Sequence, residues 1–320
     1  QIALMLSIIG LAMASPVIDP WHTAFWAVLV AFFSASQDIV IDAYRVEILE
    51  KEQYGAGAAM VQYGYRIGML ASGAGALLLA DHLGWFLAYI SMAGSVGIGF
   101  ITVLFSREPN TQVKQTALPS DVVDWLRTIV ITPFADFMKR SQWLMLLLFV
   151  LLYKMGDAFL GTMTTPFLLE IGFTKTEIAA VVKTFGLVAT LVGLFLGGLM
   201  TYRLGMVRTL WICGIGHALT NLMFIVQIHF GADLRILALG ISLENVSGGM
   251  TAVAFVAFIS SICNTHFTAT QYALLSSIAA FGRTWLSAPA GWVAKEFGWE
   301  VFFLFAVMLA IPSLWVLSRL

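Results

Sequence analysis

Charge is what this chain has least of. Only 11% of its 320 residues are Asp, Glu, Lys or Arg, against 60% hydrophobic residues, and the mean hydropathy is +0.89. No soluble domain of this length buries so much apolar surface, so the sequence reads as a polytopic membrane protein with the lipid bilayer as its surroundings. The charges present nearly cancel, 17 basic against 18 acidic, which excludes a broad electrostatic attraction to nucleic acid. Cysteine is scarce as well. Cys213 and Cys263 lie in apolar stretches without metal-ligand spacing and read as small buried hydrophobes, so no redox chemistry, metal or cofactor is expected. There is no HExxH pattern and no nucleophile set beside a base, which counts against an intramembrane enzyme. Residues 1–15 are apolar and lack the charged start of a signal peptide. They read as the latter part of a helix, so the chain is expected to be a fragment.

What the chain does have is a series of apolar segments of about 20 residues, each long enough to cross roughly 30 Å of hydrocarbon. Ten are expected, at residues 2–14, 24–49, 58–80, 86–105, 143–169, 178–202, 207–230, 234–263, 269–294 and 299–317. One long polar connection interrupts them, at 107–142, where Pro119-Ser120-Asp121 reads as the start of an amphipathic helix running to Phe137. With the first loop external, Arg45, Lys51, Arg107, Lys114, Arg127, Lys139, Arg140, Arg203, Arg208 and Arg319 fall inside, and Lys175, Arg235 and Lys295 outside. That bias puts the connection in the cytoplasm. The expected domains are a helical half at 1–106 lacking its first two helices, a cytoplasmic connection at 107–142, and a six-helix half at 143–320.

An internal echo links the halves. Gln53-Tyr54 precedes Arg66 about as Gln271-Tyr272 precedes Arg283, and a Gly-Trp pair follows in both places, Gly84-Trp85 and Gly298-Trp299. Repeated halves are the plan of major facilitator transporters, so the fold expected is an all-α, major facilitator membrane bundle, an incomplete six-plus-six. The loop GLMTYRLGMVR, with Gly198, Arg203, Gly205 and Arg208, resembles that superfamily's cytoplasmic loop pattern. Tyr202 stands where an acidic residue is usual, and Arg203 is assigned to gating.

Ionisable residues inside spans mark candidate function, because a carboxylate at bilayer depth costs roughly 2.5–3.5 kcal/mol unless it is paired, protonated or facing water. The run SASQDIVIDAYRVE carries Gln37, Asp38, Asp42 and Arg45 on or near the second span. Asp38, Asp42 and Arg45 share one helix face. Asp38 lies at a depth similar to that of Arg66 on the next span, so a resting pair between them is expected, released when Asp38 is protonated. Asp42 and Arg45 are read as a gate or helix-end pair. Lys154, Lys183 and Glu244 come to about the same depth, with Asp157 one turn beyond Lys154. This set is either a structural ion-pair group or a site for an anionic or zwitterionic substrate that takes part in coupling. His217 and His266, near span ends, are read as packing residues, with a proton-relay role as the lesser alternative. Gly64, Gly68, Gly73 and Gly75 in the third span, Gly186, Gly193, Gly197 and Gly198 in the sixth and Gly248 and Gly249 in the eighth are read as places of close helix approach or bending.

The strings SQDIVIDAYRVE, GYRIGMLASG, YKMGDAF, VKTFGLVATLVG, ENVSGGM, CNTHFTATQYALLSS and AGWVAKEFGW together resemble the AmpG-type anhydromuropeptide permeases over essentially the whole chain. The resemblance implies a multi-pass bacterial inner-membrane protein that imports GlcNAc-anhydroMurNAc and its peptides by proton symport for peptidoglycan recycling, feeding β-lactamase induction where that system exists. It implies no cofactor beyond the proton gradient, and a monomer. It also implies roles: Asp38, Asp157 and Glu244 as proton carriers; Arg66, Lys154, Lys183 and Arg283 for substrate carboxylates; Gln37, Gln62 and Asn245 for sugar and amide groups. The alternatives are an acetyl-CoA transporter of the related family, an intramembrane enzyme acting on lipid-linked sugars, and a structural or sensory membrane protein.

Overall fold

The computed structural model describes residues 1–109 and 121–320, without the side chains of residues 122 and 123, and every regular element among them is helical. The expected helix start at Pro119 and Ser120, and Lys114, lie outside the described residues. In chain order the helices are α1 (Ile2–Met13), α2 (Pro20–Ile48), α3 (Tyr54–Leu70), α4 (Ala76–Phe105), α5 (Val122–Leu126), α6 (Thr132–Met138), α7 (Trp143–Leu152) and α8 (Met155–Ile171). They continue as α9 (Lys175–Val181), α10 (Leu187–Leu204), α11 (Met206–Thr220), α12 (Met223–Phe230), α13 (Leu234–Ile262), α14 (Thr268–Trp285), α15 (Ala290–Met308) and α16 (Ala310–Leu317). π-helical turns at Ala71–Gly75, Arg127–Ile131 and Val182–Gly186 join α3 to α4, α5 to α6 and α9 to α10.

Seven helical stretches among the described residues are long and apolar enough to cross a membrane: Pro20–Ile48, Trp85–Phe105, Trp143–Ile171, Lys175–Leu204, Met206–Phe230, Leu234–Ile262 and Ala290–Leu317. The other three of the ten expected segments fall short for physical reasons. α1 has only 12 residues, the third segment is diluted by Gly, Gln, Tyr and Arg, and α14 spends many of its 18 residues on Thr, Gln, Ser and Arg.

Local chemistry explains where several helices begin and turn. α9 starts on a capping box, in which the Thr174 hydroxyl accepts the Glu177 N–H at 3.2 Å and the Glu177 carboxylate accepts the Thr174 N–H at 2.8 Å. Asp233 caps α13 by accepting the Arg235 N–H at 2.7 Å. The two Gly-Trp pairs share one backbone conformation: Gly84 has φ 83°, ψ 162° and Gly298 φ 78°, ψ 169°. Gly205, between α10 and α11, adopts the same one, φ 81°, ψ 160°. This region is essentially closed to residues with a Cβ. A Cβ at Gly298 would meet nothing within 4 Å, so the backbone alone sets the cost of replacing it. Gly298→Ala is expected to lose about 1–3 kcal/mol in denaturant unfolding in micelles; unchanged stability would mean a turn that alanine can enter.

The chain forms two compact units, each described by itself. The first is the described part of Gln1–Ile48 and Tyr63–Gln112. Here α1 rests on α2 and α4, and the approach to α2 is so close that a Cβ at Gly10 would stand 2.5 Å from the Trp26 ring. Of the close approach or bending expected at Gly64, Gly68 and Gly73, no close approach is found among the described residues, since a Cβ at each would meet none of their atoms within 4 Å. That stretch carries the π-helical turn Ala71–Gly75.

The second unit is Leu49–Gln62 with the described part of Val113–Leu320. Its apolar centre is aromatic: Phe159 stacks on Phe302 at 5.1 Å, Phe224 on Phe303 at 5.2 Å, and Phe167 meets Phe303 edge-on at 4.7 Å. α10 and α13 touch backbone to backbone. A Cβ at Gly193 would fall on the Val246 carbonyl, one at Gly197 would stand 2.8 Å from Met250 Cα, and one at Gly249 2.8 Å from the Thr190 carbonyl oxygen. Without a hydrophobic force between helices in lipid, small residues permit this contact. Farther along, α6 is tied to α14 and to the turn before it. Asp136 Oδ2 accepts from Asn264 Nδ2 at 3.0 Å and from the fully buried Gln271 Nε2 at 2.9 Å.

Candidate functional site

In the first unit the functional side chains lie on α2 and the C-terminal part of α3. Asp42 Oδ1 pairs with Arg45 Nη2 at 3.1 Å, one turn apart, with Arg45 buried. Asp38 is exposed on α2, and Gln37 Oε1 and Arg66 Nε are buried without a hydrogen-bond partner among the described residues. The expected resting pair is not formed: among the described residues no ion pair within 4.0 Å joins Asp38 to Arg66. Similar depth on neighbouring spans does not ensure that two side chains point at each other.

The second unit gathers charge around Asp157. The span Trp143–Ile171 breaks at Tyr153 and Lys154, and Lys154 becomes the residue before the first turn of α8. Asp157 stands in that first turn, where the positive end of the helix dipole favours a carboxylate. Its Oδ2 accepts from Lys154 Nζ at 2.6 Å, and its Oδ1 lies against His217 Nε2 of α11. His217 Nδ1 is 2.8 Å from the Ser247 hydroxyl of α13, which also donates to the Glu244 carbonyl at 3.0 Å. Thr220 Oγ1 is 3.0 Å from the same hydroxyl. Three helices are thus joined through one carboxylate and one imidazole. Tyr153, Asp157, His217, Asn221, Thr251 and Ser313 border a cavity of about 20 Å³, the size of a single water molecule. Asn221 Oδ1, buried there, has no hydrogen-bond partner among the described residues.

Beside this hub, Asn245 Nδ2 donates to Glu244 Oε2 at 2.7 Å and to the Ile241 carbonyl at 2.9 Å, and its Oδ1 faces the Thr190 hydroxyl of α10 at 3.0 Å. Both ends of the Asn245 amide are therefore engaged within the protein. Its Nδ2 sits next to the Glu244 carboxylate, which the sequence reading places among the proton carriers. Lys183, in the Val182–Gly186 turn, and Arg283, on α14, are exposed and have no ion pair within 4.0 Å among the described residues. Gln62 is half-buried; Arg203 is exposed, also without such a pair. Among the described residues no group of three or more His, Cys, Asp or Glu is placed to hold a metal ion.

His217 is the residue that sequence reasoning set down as packing. It lies inside Met206–Phe230 rather than near its end, is buried, and bridges two helices. A signal was available. His217, Thr220 and Asn221 are polar at i, i+3 and i+4 in an apolar span, which puts three hydrogen-bonding groups on one helix face.

Long apolar helices that carry ionisable side chains within them define a multi-pass membrane protein. Residues 2–287 match the Major Facilitator Superfamily. The chain is 38% identical over 317 residues to AmpG 4 of Rickettsia conorii (strain ATCC VR-613 / Malish 7), covering 98% of this chain and 76% of that protein. It is 40% identical over 316 residues to the anhydromuropeptide permease of Escherichia coli (strain K12), covering 98% of this chain and 63% of the permease. Among solved structures, its fold is similar to that of a bacterial homologue of the iron transporter ferroportin in the outward-facing state. The TM-score is 0.70 at 16% identity, over 99% of this chain and 80% of that one, a likeness of fold alone. The chain belongs to the Major Facilitator Superfamily and, within it, to the AmpG transporters. Membership makes it a transporter rather than an enzyme, which removes the reading as an enzyme acting on lipid-linked sugars.

Proposed function

We propose that this protein is a proton-coupled permease of the bacterial inner membrane that carries anhydromuropeptides, GlcNAc-anhydroMurNAc and its peptides, into the cytoplasm for peptidoglycan recycling. The observation that carries this reading is the 40% identity to the E. coli anhydromuropeptide permease over 98% of the chain. The chemistry of the helices is in keeping with it. A muropeptide brings carboxylates, hydroxyls and acetamido groups into a path where each needs a partner. Lys154, Lys183, Arg66 and Arg283 are assigned to the carboxylates, and Gln37, Gln62 and Asn245 to sugar and amide groups. Asp38, Asp157 and Glu244 are the carboxylates assigned to proton exchange, and Asp42, Arg45 and Arg203 to gating.

In this reading the transporter works as a monomer and its helices are ten spans of a six-plus-six plan. Four lie in a half at 1–106 and six in a half at 143–320, joined by a cytoplasmic connection at 107–142. The proton gradient is the only driving force and no cofactor takes part.

The test is uptake of radiolabelled GlcNAc-anhydroMurNAc by the full-length protein in vesicles under an imposed inward proton gradient, beside Asp38→Asn. Gradient-dependent uptake that fails in Asp38→Asn is expected. Gradient-driven uptake that survives the substitution would move the proton site to Asp157 or Glu244. The absence of uptake, with acetyl-CoA accepted instead, would place the protein in the other branch.

A further inference from the structure

His217 is buried between a carboxylate and a hydroxyl, and the hydroxyl can serve either protonation state of the ring. With a neutral imidazole, Nε2–H donates to Asp157 Oδ1 and Nδ1 accepts the Ser247 O–H at 2.8 Å. When a proton arrives at Nδ1, the new N–H donates to Ser247 Oγ, and the hydroxyl hydrogen turns to the Glu244 carbonyl oxygen 3.0 Å away. The ring keeps a partner at both nitrogens in either state, and only one hydroxyl rotates. A histidine that served packing alone would need no such alternate acceptor.

The second half of the device is the sharing of Asp157. Its two oxygens face two different cations, Lys154 Nζ at Oδ2, 2.6 Å away, and His217 at Oδ1. While the imidazole is neutral, Lys154 and Asp157 cancel. Once it is charged, two cations share one carboxylate and a positive charge is in excess. Lys154 is the partner able to leave: it stands at the break between α7 and α8 on a flexible stem, 19% exposed, whereas His217 is 9% exposed and held at both ring nitrogens.

We infer that His217 is the proton-accepting residue of this cluster and that its protonation transfers Asp157 from Lys154 to the imidazolium, freeing the Lys154 ammonium for a carboxylate of the substrate. The charged and titratable groups around His217 are Asp157, Lys154 and Tyr153 from the α7–α8 break, Cys213 on its own helix and Glu244 on α13. A carboxylate beside an imidazolium attracts it and an ammonium repels it, so departure of Lys154 toward an incoming anion strengthens the Asp157–imidazolium pair. Proton and anion therefore bind with positive coupling, reciprocal by linkage.

This inference rests on the anhydromuropeptide reading and is tested separately from it, by equilibrium binding of GlcNAc-anhydroMurNAc to the full-length protein between pH 5 and 8.5. The sign follows from the charge count: binding is strong where His217 is protonated and weakens by up to about tenfold per pH unit above its titration. His217→Gln keeps hydrogen-bonding groups but cannot take up the proton, and its affinity is expected to be flat over that range. An unchanged slope in His217→Gln would overturn the inference. If His217→Gln gives no folded protein, Ser247→Ala decides. It removes the Nδ1 partner and is expected to move the midpoint of the wild-type curve by half a pH unit or more, whereas an unmoved midpoint overturns the role. No binding by the wild type at any pH would instead overturn the substrate assignment.

Discussion

Asp157→Asn is expected to abolish gradient-driven uptake and to lower stability by about 3–5 kcal/mol, the usual cost of removing one member of a buried ion pair. The magnitude comes from what is left behind. Asparagine keeps one oxygen and presents an NH2 in place of the other, so either Lys154 Nζ or His217 Nε2 meets a donor where it had an acceptor, and Lys154 loses its counter-charge. Both sit in a span with little water to take the carboxylate's place, at 19% and 9% side-chain exposure. Stability and transport can be separated by adding Lys154→Met, which removes the orphaned cation. The double variant is expected to regain much of the stability and none of the uptake. A loss below about 1 kcal/mol in Asp157→Asn, the range of solvent-screened pairs, would mean that the cluster is far wetter than its burial indicates.

The contact between α10 and α13 carries the second large effect. Gly193→Val is expected to yield no folded protein, because the added side chain would occupy the position of the Val246 carbonyl, and backbone cannot move aside as a flexible side chain does. Overpacking of this kind typically costs about 1–3 kcal/mol where neighbours can shift, and more where they cannot. Two alanine substitutions calibrate the result. Gly198→Ala meets the Ala59 Cβ at 3.3 Å and is expected to cost little, while Gly216→Ala meets nothing within 4 Å. Gly216→Ala is expected to leave folding unchanged or to improve it by up to about 1 kcal/mol, since it lies inside α11. Detergent-solubilised yield and unfolding midpoints check all three. Wild-type behaviour of Gly193→Val would show that α10 and α13 lie farther apart than described.

The two contacts behind these effects differ in how far they could be anticipated. Lys154 and Asp157 are three residues apart, as are Asp42 and Arg45, and helix geometry alone brings such pairs together. The glycines of α10 and α13 announced a close approach by composition. The membrane class, most spans and the AmpG resemblance were equally legible, because hydropathy and motif strings are properties of the chain taken locally.

Partners on different helices were not legible in this way. Depth along two spans suggested Asp38 with Arg66, yet each helix's rotation about its own axis decides which groups meet, and these two form no pair within 4.0 Å among the described residues. Rotation likewise turns His217 toward Asp157 and Ser247, and engages both ends of Asn245 beside Thr190. It leaves Gly64, Gly68 and Gly73 with room for a Cβ, which would meet none of the described atoms within 4 Å. Such rotations follow from the packing of whole helices, and no local periodicity encodes them. Amino-acid order was enough for the kind of protein, its lipid environment and the ionisable groups its helices carry; which of those groups share a proton or a counter-ion depended on the packed bundle, because charges on separate helices interact through distances that only packing sets.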